Sequence, residues 1–254
     1  MKKNIFDLHG CRALVTGSGG GLGFALARGL AEAGASIILN GRNVDKLEAA
    51  AKILRGEGYN VTISAFDVTD EVAVNVAIGE LLLDGDIDIL VNNAGMQFRG
   101  ALETFPTDKW RQIMATNVDS AFFVARAVVP NMISIGAGKI INICSLMSDL
   151  GRASITPYAT SKGAIKMLTR GMCADWAKHN IQINGIAPGY FRTEMNTALV
   201  EDKDFTNWLE ARTPAGRWGE PDELVGAAVF LAAPASRFVN GQIIFVDGGL
   251  SAAV

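Results

Sequence analysis

A phenol and an ammonium stand four residues apart at Tyr158 and Lys162, at the start of a long segment with apolar periodicity. On a helix, this spacing puts both side chains on one face, one turn apart. A neighbouring cation favours the phenolate and lowers the pKa of the phenol from its ordinary value of about 10. We therefore predict a tyrosine that can exchange a proton with a substrate oxygen. Such pairs are also common on exposed helices, so the prediction depends on what surrounds them.

The composition limits the partners that the chain can have. Its 254 residues carry a formal net charge of −3 without a basic stripe, so we expect neither nucleic acid nor an anionic membrane as a partner. No apolar run approaches membrane-spanning length, and the start at Met1 to Asn4 lacks the apolar segment of a secretion signal. The scattered cysteines Cys11, Cys144 and Cys173 have no metal-binding spacing. We therefore predict reduced thiols, no metal site and a cytoplasmic protein.

A glycine-rich turn near the N-terminus lies between a predicted strand and a predicted helix. Cys11 to Thr16 is a short apolar run typical of a buried strand, Leu22 to Ala33 has helical periodicity, and Ser36 to Asn40 is the next strand. This order is the βαβ unit that binds a dinucleotide, because glycines let the backbone approach a pyrophosphate at a helix N-terminus. The turn contributes these candidate cofactor residues: Gly17, Ser18, Gly21, Leu22 and Gly23.

Strands and helices alternate over the rest of the chain. Further strands are predicted at Val61 to Phe66, Ile87 to Val91, Lys139 to Cys144, Ile181 to Ala187 and Ile243 to Val246. Further helices are predicted at Val44 to Glu57, Asp70 to Leu83, Thr107 to Met132, Tyr158 to His179 and Pro221 to Leu231, with Asp70 and Thr107 as N-caps. The pattern predicts an α/β fold in a single domain over residues 1–254. It is a doubly wound parallel sheet of about seven strands, with helices on both faces and ligands at the strand carboxyl ends.

The order of short motifs resembles the short-chain dehydrogenase/reductase family over essentially the whole chain. The glycine turn has the spacing T-G-x-x-x-G-x-G, and further motifs follow successive strands. Those motif residues are Asp67, Val68, Asn92, Asn93, Ala94, Gly95, Asn117, Ser145, Tyr158, Lys162, Pro188, Gly189 and Thr193. The resemblance implies a Rossmann fold, a nicotinamide cofactor that carries hydride, and a homotetramer.

The resemblance also implies a role for each catalytic candidate. Tyr158 would be the general acid in reduction and the general base in oxidation, while Lys162 would lower its pKa and hold the nicotinamide ribose. Ser145 would stabilise charge on the reacting oxygen, and Asn117 would anchor a water that links Lys162 to solvent. The implied cofactor contacts outside the glycine turn are Asp67, Val68, Asn93, Ala94, Gly95, Tyr158, Lys162, Pro188, Gly189 and Thr193.

The end of the second strand bears on the choice of cofactor. An NAD site usually has an acidic residue there, which bonds the ribose 2′-hydroxyl. This chain has no carboxylate in Asn40-Gly41-Arg42, and Arg42 offers a planar fork to a 2′-phosphate. We therefore predict NADP(H) rather than NAD(H).

Three stretches border the predicted site: Met96 to Arg99, Leu146 to Arg152 and Ala187 to Phe191. They supply amide, guanidinium and hydroxyl groups, which suit a polyhydroxylated anion better than a fatty chain. The last of them leads into a predicted substrate lid at about residues 190–215. Within the family, Lys139 to Met195 resembles the members that interconvert D-gluconate and 5-dehydro-D-gluconate. Arg99 and Arg152 could then hold the carboxylate. The full set of substrate candidates is Gln97, Arg99, Ser145, Arg152, Tyr158 and Tyr190.

Three alternatives stay open. A 3-oxoacyl-carrier-protein reductase would need a basic docking surface for an acidic carrier, and the sequence shows no such concentration of charge. The chain could instead reduce another sugar ketone or a small cyclic ketone. From another class, it could be a catalytically silent NADP-binding regulator, although such proteins usually lack the Tyr or the Lys.

Overall fold

The computed structural model describes residues 4–253, in which seven parallel strands form one sheet in the order β3-β2-β1-β4-β5-β6-β7. The strands are β1 (Arg12–Val15), β2 (Ser36–Gly41), β3 (Val61–Ala65), β4 (Ile89–Asn92), β5 (Gly138–Ile143), β6 (Ile181–Pro188) and β7 (Ile243–Val246). The predicted doubly wound parallel sheet is therefore confirmed. The lysines at positions 2 and 3, which bear on the secretion-signal prediction, lie outside the described residues.

Nine α-helices and six short 3₁₀ turns occur in residues 4–253. They are α1 (Gly21–Glu32), α2 (Val44–Gly56), α3 (Glu71–Leu83), α4 (Thr107–Met114), α5 (Ser120–Ile135), α6 (Thr156–Trp176), α7 (Thr197–Glu201), α8 (Lys203–Arg212) and α9 (Val225–Ala232).

The strands bury both of their faces, which explains their continuous apolar runs. In β2, Ile37 and Leu39 pack into the core beneath α1, α2 and α9, whereas Ile38 packs into the core beneath α3, α5 and α6. This alternation follows from the period of two in a strand.

The strand order reverses at β1, which pairs with β2 on one side and with β4 on the other. The connections from these strands leave the sheet in opposite directions, so a crevice opens at their carboxyl ends. Every predicted catalytic residue follows a strand carboxyl end on this edge or lies in the helical segment after it.

The structure confirms one of the two predicted helix N-caps. Asp70 is an N-cap as predicted, because its carboxylate accepts from the backbone N–H groups of Val72 and Ala73 at 2.9 and 3.1 Å. The prediction for Thr107 is wrong, because α4 already includes this residue and its N-cap is Pro106, which has no capping side chain. The predicted helix from Thr107 is also interrupted by a π-helical turn at Ala115–Asp119.

The prediction that no run approaches membrane-spanning length is wrong by length and composition. The helical run Thr107–Ile135 contains 29 residues and is apolar enough to cross a bilayer. In this fold, α5 is a core helix, since Val124, Val128 and Met132 have no exposed surface and pack against the sheet. The apolar composition of this run therefore reflects the face of α5 that packs into the protein core next to α3.

The two predicted N-caps provide a matched test. Asp70→Ala should lower the free energy of unfolding by about 1 kcal/mol, because two helix N–H groups lose their acceptor. Thr107→Ala should cost much less, since the Thr107 side chain caps no backbone group in the structure. Urea unfolding of both variants measures the difference, and equal losses would contradict the cap assignments.

Candidate active site

A cavity of about 910 Å³ opens at the carboxyl edge of the sheet. It is lined by groups from the glycine turn, from the ends of β2 to β6, and from the segment after β6. The structure brings these predicted site residues to its wall: Gly17, Gly21, Leu22, Gly23, Arg42, Asp67, Val68, Asn93, Ala94, Gly95, Gln97, Arg99, Ser145, Arg152, Tyr158, Lys162, Pro188, Gly189, Tyr190 and Thr193. Two predicted residues, Ser18 and Asn117, are not part of this wall.

The glycine turn is locked to the end of β4. The Asn93 side-chain amide donates to the backbone oxygens of Thr16 and Gly17 at 2.9 and 3.1 Å. A Cβ at Gly23 would stand 2.4 Å from the Asn93 amide nitrogen, and Gly17 has a φ of +63°. Both positions therefore require glycine, and they allow the turn to pack closely against Asn93 at the end of β4.

Glycine also leaves space on the cavity side of this turn. Gly21 has a φ of +54° and begins α1, and a Cβ built on it would meet nothing within 4 Å. The first N–H groups of a helix have no intrahelical partner and attract anions. The space and the donors fit the pyrophosphate of a dinucleotide.

Ser18 supports the turn from below. Its hydroxyl donates to the Val15 oxygen at 2.7 Å and accepts from the Asn40 N–H at 3.0 Å, and the residue is fully buried. The side chain therefore ties β1 to β2 and does not face the cavity.

Tyr158 and Lys162 face the cavity from the first turns of α6, as the four-residue spacing predicts. The Lys162 ammonium lies 5.8 Å from the centroid of the Tyr158 ring. It donates a hydrogen bond of 2.6 Å to the backbone oxygen of Ile143, the last residue of β5. Within residues 4–253, we find no carboxylate at ion-pair distance from this ammonium.

The pKa prediction for the pair is wrong in the structure as it stands. Burial raises the pKa of Tyr158 above its ordinary value, and a hydrogen bond with Ser145 offsets only part of this effect. Burial also lowers the pKa of Lys162 to about 8. The four-residue spacing correctly predicts that Tyr158 and Lys162 are close. The loss of solvation of the Tyr158 hydroxyl nevertheless outweighs any attraction from the Lys162 ammonium, which points to the Ile143 carbonyl.

Ser145 follows β5 and is held by its own turn. Its hydroxyl accepts from the Met147 N–H at 3.1 Å, and its N–H donates to the Ser148 hydroxyl at 3.2 Å. The Ser148 hydroxyl in turn donates to the Lys162 backbone oxygen at 2.9 Å. Hydrogen bonds thus connect the turn that follows β5 to helix α6. This connection holds Ser145, Tyr158 and Lys162 in the same part of the cavity.

Asn117 lies behind the cavity wall, in the π-helical turn. Its amide donates to the Met96 oxygen and the Ser161 hydroxyl at 3.0 and 2.9 Å, and its oxygen accepts from the Met96 N–H at 2.7 Å. These bonds join the loop after β4 to α6. The role of Asn117 as a water anchor stays a prediction.

Two guanidinium groups stand together at one end of the cavity. Arg152 donates to the Tyr190 hydroxyl at 3.1 Å and lies 5.3 Å from the Phe205 ring centroid. Burial, and then the positive charge of Arg152, hold the pKa of Arg99 below its ordinary value. Two cations placed this close favour an anion between them.

The opposite end contains the predicted residues Arg42 and Asp67 and also Lys46 and Glu194, which sequence reasoning missed. Arg42 lies 3.6 Å from the Asp67 carboxylate, and Lys46 lies 4.0 Å from Glu194. Burial opposes the change, but bonds from Thr69 and the charge of Arg42 hold the pKa of Asp67 below its ordinary value. The position of Lys46 in the first turn of α2, shortly after Arg42, could have indicated it, whereas no local signal brings Glu194 to it.

The pH dependence of stability tests the burial of Lys162. Its pKa of about 8 in the folded protein lies below the ordinary 10.5, so the unfolded chain binds more protons between these values. The cost of burying the cation is therefore full below pH 8 and fades as the pH rises. The stability of Lys162→Met relative to wild type should therefore fall between about pH 8 and pH 10.5. Urea unfolding across this range measures the trend.

Lys178→Met removes an exposed positive charge and serves as the control. A difference between wild type and Lys162→Met that stays constant with pH, as in the control, would contradict the burial of a charged Lys162.

The chain is similar to known proteins over nearly its whole length. A family model described as enoyl-(acyl carrier protein) reductase matches residues 17–251. The chain is 53% identical over 249 residues to gluconate 5-dehydrogenase of Gluconobacter oxydans (strain 621H), covering 98% of this chain and 97% of that protein. It is 53% identical over 252 residues to 5-keto-D-gluconate 5-reductase of Escherichia coli (strain K12), covering 99% of each.

Among solved structures, the gluconate 5-dehydrogenase of Burkholderia cenocepacia J2315, in complex with NADP and tartrate, superimposes with a TM-score of 0.97. It is 57% identical to this chain, and the match covers 98% of both chains. Together with the cavity and its polar groups, these similarities show that the chain belongs to the short-chain dehydrogenase/reductase family of oxidoreductases.

Proposed function

We propose that this chain is an NADP(H)-dependent oxidoreductase that interconverts D-gluconate and 5-dehydro-D-gluconate. The observation that carries the proposal is the content of one cavity, in which Tyr158, Lys162 and Ser145 lie between the glycine turn and the Arg99–Arg152 pair. The identities of 53% to relatives named for this reaction support the choice of substrate.

The cofactor would lie along the carboxyl edge of the sheet. The glycine turn would hold its pyrophosphate, Arg42 its 2′-phosphate, and Asp67 with Val68 its adenine. Asn93, Ala94, Gly95, Pro188, Gly189 and Thr193 would line the nicotinamide half. When bound, a nicotinamide cofactor supplies or accepts hydride at the substrate carbon.

The chain's own residues handle the proton. In reduction, the Tyr158 hydroxyl gives its proton to the ketone oxygen as that carbon gains hydride, so the C=O bond becomes a C–O–H and a C–H. In oxidation, the phenolate takes the hydroxyl proton. Ser145 donates a hydrogen bond to the reacting oxygen and stabilises its developing charge. Lys162 would hold the nicotinamide ribose, and Asn117 would anchor a water that resupplies the proton.

Specificity for a sugar acid would come from the far end of the cavity. Arg99 and Arg152 bind the carboxylate, while Gln97 and Tyr190 contact hydroxyl groups. The Phe205 ring and the Tyr190 hydroxyl fix the Arg152 guanidinium before substrate arrives, which lowers the entropic cost of binding. The segment 190–215 acts as the lid of a single domain and carries both aromatic groups.

We further propose a cytoplasmic homotetramer. The neighbouring helices α3 and α5 expose large apolar side chains, which support association with other subunits. These exposed residues are Val72, Val76, Phe122 and Ile133.

An assay of the purified protein tests the substrate and the cofactor together. D-gluconate with NADP⁺ or NAD⁺, and 5-dehydro-D-gluconate with NADPH or NADH, are followed by cofactor absorbance. A small ketone and a β-ketoacyl thioester are assayed as alternative substrates. We expect the sugar acid with the phosphorylated cofactor to give the highest kcat/KM. A preference for NADH, or for the thioester, would contradict the corresponding part of the proposal.

The Tyr158→Phe variant tests the proton transfer. Losing this acid–base group should reduce kcat by about 10²- to 10⁴-fold. NADPH binding, followed by cofactor fluorescence, should persist because the ring and α6 are retained. Turnover close to that of wild type would refute the role of Tyr158.

A further inference from the structure

We propose that Lys46 binds the 2′-phosphate of NADP(H) together with Arg42, and that it helps to set the preference over NAD(H). The inference rests on the cofactor proposed above and names a residue that the family motifs do not include.

The position of Lys46 follows from the start of α2. The Asn43 side chain caps this helix by accepting from the Lys46 N–H at 2.9 Å. The first turn consequently stands beside the glycine turn, where a Cβ on Gly19 would lie 3.6 Å from the Lys46 Cβ. Arg42 and Lys46 line the same cavity from the end of β2 and from this turn.

The charge at this end of the cavity indicates why a second cation is needed. A phosphate monoester carries about −1.5 to −2 charges at neutral pH. Arg42 already shares its charge with Asp67 at 3.6 Å. Arg42 therefore leaves most of the phosphate charge unbalanced, and Lys46 would add a second positive charge beside it.

Lys46 is available for this role because its partner holds it weakly. Its nearest carboxylate, Glu194, is 4.0 Å away, and the two side chains are 68% and 83% exposed. Such a pair is weak in water. A doubly charged phosphate fixed by the rest of the cofactor should displace Glu194, whereas a ribose 2′-hydroxyl has no charge with which to compete.

Glu194 belongs to the 3₁₀ turn Glu194–Asn196 that follows β6, in the proposed lid. Its other carboxylate oxygen lies 3.9 Å from the position that a Cβ on Gly20 would take. The carboxylate thus reaches over the glycine turn toward Lys46 and competes for the same cation. Removing its charge should strengthen phosphate binding.

Isothermal titration with two cofactor fragments isolates this contact. The probes are 2′,5′-ADP, which has the 2′-phosphate, and 5′-AMP, which lacks it. Lys46→Met should raise the Kd for 2′,5′-ADP about tenfold, the scale of one charge-assisted contact, with a much smaller change for 5′-AMP. Lys52→Met, at an exposed position on the same helix, should leave the ratio of the two constants unchanged.

Glu194→Gln provides the second arm. It should lower the Kd for 2′,5′-ADP in the wild-type background and have no such effect in the Lys46→Met background, because the two groups act through one contact. An unchanged ratio of the two Kd values in Lys46→Met, in a wild type that prefers 2′,5′-ADP, would overturn the inference and leave the proposed function standing. Equal binding of both probes by wild type would contradict the NADP assignment itself.

Discussion

Lys162 carries a buried ammonium whose hydrogen bond goes to a backbone carbonyl, and the arrangement of the site depends on that bond. The 2.6 Å contact with Ile143 joins α6 to the end of β5. The Ser148 hydroxyl, in the turn that follows β5, makes a second link to α6 through the Lys162 backbone oxygen. A buried cation is costly without a hydrogen-bond partner. The Ile143 carbonyl provides that partner and holds the Lys162 ammonium beside Ser145 and Tyr158 at the sheet edge.

The glycine turn brings the second component of the chemistry to the same edge. Asn93 fastens that turn to β4, and the fully buried Ser18 fastens it to β2. The sheet order then sets the distance between the turn and α6, because β4 lies between β1 and β5. The cofactor cradle and the proton-handling pair are therefore parts of one rigid edge, whereas the substrate end includes lid residues such as Phe205.

The sequence allowed the sheet, the order of its helices and most of the cavity wall to be predicted. Local patterns suffice there, because apolar runs define strands and parallel strands end at one edge. The π-helical turn around Asn117 has no local signal. The pKa of Tyr158 depends on burial, which spacing cannot reveal. Lys46 and Glu194 meet only after β6 and α2 have taken their places, so their contact is a property of the tertiary structure.

A crystal structure with NADP and D-gluconate would test the account most directly. We predict that the substrate's C5 oxygen lies within about 2.6–3.2 Å of the Tyr158 hydroxyl, the distance that proton transfer requires, with Ser145 also bonded to it. The carboxylate should contact Arg99 and Arg152. A C5 oxygen remote from Tyr158, or a carboxylate at the Tyr158 end of the cavity, would contradict the account.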